Sequence, residues 1–147
     1  MIEEGENLHC EFKQRFSSHE KIAKEMIAFA NTKGGYIIFG IEDDGSVTGV
    51  ASEKGEAELI AEAAGRYCEP PVRYTIDYID LNNKEIVVVE VFESDVKPHR
   101  LQDYLPELDI SKAQVYVRVN DKSMLASKEM VRILRTDTAQ SELTKYV

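Results

Sequence analysis

Eighteen consecutive residues, AFANTKGGYIIFGIEDDG from Ala28 to Gly45, constrain the fold of this 147-residue chain more than any other stretch. Ala28, Phe29 and Ala30 complete a helical apolar spacing, Asn31 and Thr32 continue a helix poorly, and Gly34-Gly35 admit the backbone angles of a sharp exit. Of the six residues from Tyr36 to Ile41, five are large and β-branched or aromatic. No polar alternation interrupts them, so the run predicts a central strand covered on both faces. Glu42-Asp43-Asp44-Gly45 follows at once and reads as an acidic turn opening a hairpin.

The order of these pieces bears on chemistry. A phosphate cradle needs glycines ahead of a helix N-terminus, where free N–H groups and the dipole are positive. Here the glycines follow a helix C-terminus, so they read as a cap. No GxxxxGK[ST] sequence occurs in the chain, and ATP hydrolysis has no motif to support it.

Upstream, Leu8, Cys10 and Phe12 alternate within Glu6 to Phe16 and predict a short strand with those three pointing inward. Ser17 with Glu20 makes a capping-box pattern, and Ile22, Met26, Phe29 and Ala30 share one face, giving a helix over about 19–31. After the central strand, Ser46 to Val50 reads as the return strand of a hairpin, and Glu56 to Tyr67 as a second amphipathic helix. Pro70-Pro71 sends the chain out extended, and Val72 to Ile79 and Ile86 to Phe92 form a hairpin turning at Asn82-Asn83. A long loop runs from Lys97 to about Lys112, a strand spans Gln114 to Val119, and a last helix from Ser127 turns Met130, Ile133 and Leu134 inward. The order β-α-β-β-α-β-β-β-α predicts an α+β fold: a single domain, residues 1–136, whose mixed sheet carries about three helices, followed by a polar tail at 137–147.

No run of eighteen apolar residues and no signal-like N-terminus occurs, so a cytoplasmic protein without a membrane partner is expected. Cys10 and Cys68 are far apart, with no CxxC and no flanking histidines, and read as free thiols.

Net charge is −9, which opposes a uniform nucleic-acid-binding surface. The charge is uneven: residues 1–96 hold 9 Lys and Arg against 20 Asp and Glu, whereas 97–147 hold 9 against 7. A local phosphate-contacting face is therefore sought in Lys97, His99, Arg100, Arg118 and Lys122, with Lys13, and with Tyr104 and Tyr116 for base stacking. The other constellation is acidic. Glu6 and Glu11 bracket the first strand and Glu42 to Asp44 end the central one, so they can converge at a sheet edge and hold a divalent cation through oxygen ligands; the alternative is solvated acids and a plain turn.

The stretch Glu6-Asn7-Leu8-His9-Cys10-Glu11-Phe12-Lys13 resembles the E-S-x-x-x-E-F-K opening of the Schlafen/AlbA-type DNA-binding domain. Ala28 to Gly45 resembles that family's A-F-A-N-T-x-G-G-x-x-x-x-G-V-x-D-D-G core, and Lys97-Pro98-His99 with Val115 to Val119 is similar to its later P-H and Y-x-R elements. The resemblance implies an α+β domain found in bacterial transcriptional regulators and in animal Schlafens. In some Schlafens three acids serve a metal-dependent ribonuclease acting on structured RNA. Two of those acids match Glu6 and Glu11; Glu42 stands where the family has aspartate, with Asp43 adjacent. Schlafen cores carry two such halves, which for a single copy implies a homodimer.

Three functions follow as expectations. The first is nucleic-acid binding, to DNA or RNA, through Lys13, Lys97, His99, Arg100 and Arg118. The second is a Mg- or Mn-dependent endoribonuclease using Glu6, Glu11 and Glu42 or Asp43. The third is a protein-interaction module that binds no nucleic acid.

Overall fold

The computed structural model describes residues 5–102 and 114–144. The elements run β1 (Cys10–Lys13), α1 (His19–Asn31), β2 (Gly35–Phe39), α2 (Glu53–Arg66), β3 (Cys68–Glu69), β4 (Tyr74–Leu81), β5 (Lys84–Val91), β6 (Arg100–Leu101), β7 (Tyr116–Val119), β8 (Lys122–Leu125) and α3 (Lys128–Thr144). Strands β1-β2-β5-β4 form a four-stranded sheet in which β1 and β2 are parallel and the other pairs antiparallel. The fold is α+β, with a mixed sheet and three helices. Two short antiparallel ladders, β3-β6 and β7-β8, flank the sheet.

Helix α1 forms where its apolar spacing dictates. Ile22, Ala23, Met26, Ile27 and Phe29 are fully buried and pack with Ile37, Phe39, Val87 and Val89 from the sheet and Ile60 and Ala63 from α2. Burial of each large side chain contributes roughly 1.5–3 kcal/mol, which is why this face holds the domain together. The N-cap is Ser18, whose Oγ accepts from Lys21 N at 3.2 Å, one residue later than the capping box suggests. β2 is an inner strand, and Ile37, Ile38 and Phe39 are no more than 1% exposed.

The return strand expected at 46–50 reduces to a single bridge between Ile41 and Val47. Thr48 N and Gly49 N both donate to Gly40 O at 2.9 Å, so the chain curls back on one carbonyl instead of laddering. The hairpin of β4 and β5 turns at Asn82 and Asn83, both at positive φ (52° and 63°), as a two-residue loop requires. Met130 and Ile133 do not face inward; they are 39% and 54% exposed. α3 packs on the small β7-β8 ladder through Leu134 and Val131 against Val115 and Val117, and such a narrow ladder covers only a narrow stripe of helix. The helix continues past Thr136 to Thr144. Tyr104 and most of the long loop lie outside the described residues.

Candidate functional site

Alternation along β1 separates two jobs. Cys10 and Phe12 enter one core cluster, while Glu11 and Lys13 face the opposite side, toward α1 and the β7-β8 hairpin. On that side an open cleft of about 460 Å³ is lined by Glu6, Glu11, Lys13, Glu25, Asp43 and Asp121, with Phe12, Gln14, Lys122 and Ser123 completing its wall. The sheet brings Glu6, Glu11 and Asp43 together, because β1 and β2 run parallel and both end toward the cleft. Glu42 does not line it. Of the two acids that follow the central strand, Asp43 is the one on the cleft wall.

Arg118 governs the floor. It was expected on the phosphate-contacting face, yet its side chain is 0% exposed. Nη2 donates to Glu11 Oε2 at 2.5 Å, to Asn7 O at 3.0 Å and to Cys10 O at 3.3 Å; Nη1 donates to Glu25 Oε2 and to Ser123 Oγ, both at 3.1 Å. The guanidinium lies 4.7 Å from the Phe29 ring centroid. Ser123 Oγ makes a further, very short hydrogen bond to Glu25 Oε2. Lys13 Nζ stands 3.7 Å from Glu11 Oε1 and 3.6 Å from Glu25 Oε1. One buried carboxylate and one half-buried carboxylate thus share two cations, and three segments far apart in sequence are joined at one point.

The remaining expected phosphate contacts are also engaged within the fold. His99 is 2% exposed; its Nδ1 lies 2.7 Å from Pro70 O and its Nε2 2.6 Å from Ser94 Oγ. Burial lowers its pKa, so the ring is neutral, with Nδ1–H donating to Pro70 and Nε2 accepting from Ser94. Lys97 Nζ contacts Glu93 Oε2 at 2.9 Å and Thr32 O at 3.5 Å, with its side chain 9% exposed. Arg100 Nη1 donates to Leu101 O at 3.2 Å. His99 and Arg118 are thus buried and bonded within the fold, not set out on an exposed phosphate-contacting face. Lys13 and Lys122 are the cations that line the cleft.

Electrostatics inside the cleft are strained by like charge. Burial, the neighbouring Glu11 carboxylate and a hydrogen bond to Asp43 push Glu6 up to about 7. Glu11 is raised by burial and by Glu25, against the opposing pull of Arg118 and Lys13. Among the described residues no group of three His, Cys, Asp or Glu side chains is disposed to hold a metal ion. The reason is local: Glu11 is committed to Arg118 and Lys13, Glu6 bonds to Asp43, and Glu42 lies off the cleft wall. As placed, the acids do not fit a divalent cation. The thiols offer no alternative nucleophile, since burial pushes Cys10 up to about 11 and Cys68 up to about 12.

Sequence patterning found Glu6, Glu11, Asp43 and Lys13 but missed Glu25, Ser123 and Asp121. Glu25 sits on the helix α1 beside apolar residues, and only its position across from Lys13 distinguishes it from a solvated acid.

Comparison with known proteins places this geometry. A protein of Ureaplasma parvum named as an ATP-binding protein is 36% identical over 87 residues, covering 55% of this chain and 24% of that one. The DIP2311 protein of Corynebacterium diphtheriae superimposes with a TM-score of 0.62 at 17% identity, over 88% of this chain and 24% of its own. The N-terminal domain of a Nitrosomonas europaea RecG-related protein, named for an ATP-dependent DNA helicase, gives 0.55 at 23% identity, over 80% and 82%. The chain thus spans about a quarter of the length of the first two. The family model described as Schlafen, AlbA_2 matches residues 6–127, from the first cleft carboxylate through the whole β7-β8 hairpin. The chain belongs to the Schlafen, AlbA_2 family.

Proposed function

We propose that this chain is a nucleic-acid-binding domain, for DNA or RNA, whose contact surface is the cleft between β1 and the β7-β8 turn. The observation that carries the reading is the cleft's make-up: Lys13 and Lys122 stand among carboxylates on an open surface built from the segments that the family match spans. Lysines neutralise phosphates, and carboxylates accept hydrogen bonds from exposed amino groups of bases. The RecG-related neighbour, named for a DNA helicase, supports the same class. A role in bacterial transcriptional regulation, in the cytoplasm and as a homodimer, extends this reading.

The test is a fluorescence-anisotropy titration of a hairpin RNA, a single strand and a duplex DNA between about 50 and 200 mM salt. Binding should weaken as salt rises, and Lys122→Glu should weaken it about tenfold while lowering the salt slope by about one phosphate. No binding at low salt, or no effect of Lys122→Glu, rejects the cleft as the interface.

One observation favours a second reading, endoribonuclease activity. Glu6 is held at about 7 by burial, by Glu11 and by Asp43, and a carboxyl in that range serves as general acid or base at neutral pH. Cleavage of a structured RNA, followed with and without manganese, should then fall at least tenfold in Glu6→Gln. Intact RNA under every condition leaves binding alone.

A further inference from the structure

The sheet has two edges, and they differ. β1 is tied to the β7-β8 hairpin through the Arg118 side chain, which donates to Cys10 O and Glu11, whereas β4, at the opposite edge, pairs only with β5 among the described residues. β4 keeps register with β5 through all eight residues, Tyr74 to Leu81, without a bulge or a proline. An edge of this length offers a row of backbone donors and acceptors to another strand.

Its side chains define what kind of strand. Register places Ile76 and Tyr78 opposite Val89 and Val87, on the sheet face that α2 covers, so Asp77 and Ile79 lie on the other face. Tyr78 is 51% exposed and Ile79 44%. Tyr78 also closes a groove of about 470 Å³ whose other walls are Glu53, Lys54, Ala57, Glu58 and Ala61 of α2. Small alanines line the groove between Glu53 and Glu58, with Lys54 the one cation on its wall among the described residues. Glu53, Glu58, Asp77 and Asp80 have no cationic partner among the described residues.

We propose that this edge binds an extended segment of a partner protein by strand addition, the segment carrying Lys or Arg among β-branched side chains. Its backbone completes the ladder on β4, apolar side chains fill the groove beside Tyr78 and cover Ile79, and cations meet the four carboxylates. Charge selects this occupant. A second copy would bring a second set of Asp77 and Asp80 to the shared edge, and like charges gathered there oppose pairing. The surface is separate from the cleft, at the far edge of the sheet, so the two occupants do not compete.

The probe is a fluorescein-labelled peptide, Lys-Thr-Val-Lys-Ile-Lys-Val-Thr, compared with a version N-methylated at alternate amides so that one edge cannot pair. Expected is saturable binding at least about tenfold tighter for the unmethylated peptide, lost about tenfold in Asp77→Lys and in Tyr78→Lys. Amide-exchange protection should appear in Tyr74 to Leu81. Three results overturn the proposal: equal affinity for both peptides, which is charge attraction alone; amide protection confined to the Glu6–Glu11 cleft; or a homodimer in light scattering that Tyr78→Lys abolishes, which gives the edge to a second copy.

Discussion

Asn31 uses its whole amide to tie distant backbone together: Nδ2 donates to His99 O and to Tyr116 O, each at 2.9 Å, and Oδ1 accepts from His99 N at 2.7 Å. Thr32 next to it donates Oγ1–H to Ala28 O and accepts from Arg118 N, both at 2.8 Å. The Ala-Phe-Ala-Asn-Thr run that looked like a helix ending in a weak cap is thus the hub onto which β7 and the His99 segment are bonded. The two glycines after it answer to space. A Cβ on Gly34, at φ +70°, would stand 2.7 Å from Val91 O, and one on Gly35 would stand 2.5 Å from the Phe29 ring. Gly45 also has positive φ, +88°, but a Cβ there meets nothing within 4 Å. Gly35→Ala should therefore lower stability by about 2–3 kcal/mol through overpacking, against about 1 kcal/mol for Gly45→Ala, compared by urea denaturation midpoints. Equal losses would remove the packing account.

Among the elements, the β7-β8 hairpin is the one whose place rests on polar contacts. Its apolar contacts are Val115 and Val117 against Leu134 and Tyr116 against the main core, while Arg118 carries the polar connection to β1 and α1. Removing one partner of a buried pair leaves an uncompensated charge, so Arg118→Met should cost about 3–5 kcal/mol. Adding Glu11→Gln should restore part of that loss, because the stranded charge disappears. A double-mutant cycle by chemical denaturation measures the coupling, and simple additivity would show that Arg118 acts only through packing. Sequence located β7 from the alternation of Val115, Val117 and Val119 but not β8, because Lys122-Ser123-Met124-Leu125 lacks that pattern and is a strand only by pairing with β7. The same limit explains Met130 and Ile133: helical spacing identifies a helix, whereas the width of its buried stripe depends on what it lies against.

At the scale of the molecule, the charge that is spread along the sequence becomes two surfaces at opposite edges of one sheet, a mixed cleft and an acidic rim. The cleft's crowding makes stability depend on pH. Glu6 titrates at about 7 in the folded state against an ordinary 4.5, so between those values the native state binds more protons and stability falls as pH rises. His99 acts oppositely: its folded pKa is lowered from 6.5, so stability is lost as pH falls below that value. Glu6→Gln should raise the denaturation midpoint at pH 8 and leave it unchanged near pH 4.5, where the parental carboxyl is already protonated in the fold. A midpoint shift equal at both pH values would place the effect in packing.

The sequence by itself determined the elements whose side chains fix their own environment: α1 from its apolar stripe, β2 from an unbroken apolar run, the β4-β5 hairpin from Asn82-Asn83. It also marked Glu6, Glu11, Lys13 and Asp43 as candidates, through the opening motif and the acidic turn after β2, whereas their meeting in one cleft depends on the parallel β1-β2 pairing. Only the tertiary structure decided what the cations do. Whether Arg118 or His99 meets solvent or a buried polar partner depends on contacts between residues about a hundred positions apart, or about thirty for His99 and Pro70, and spacing along the chain carries no record of them.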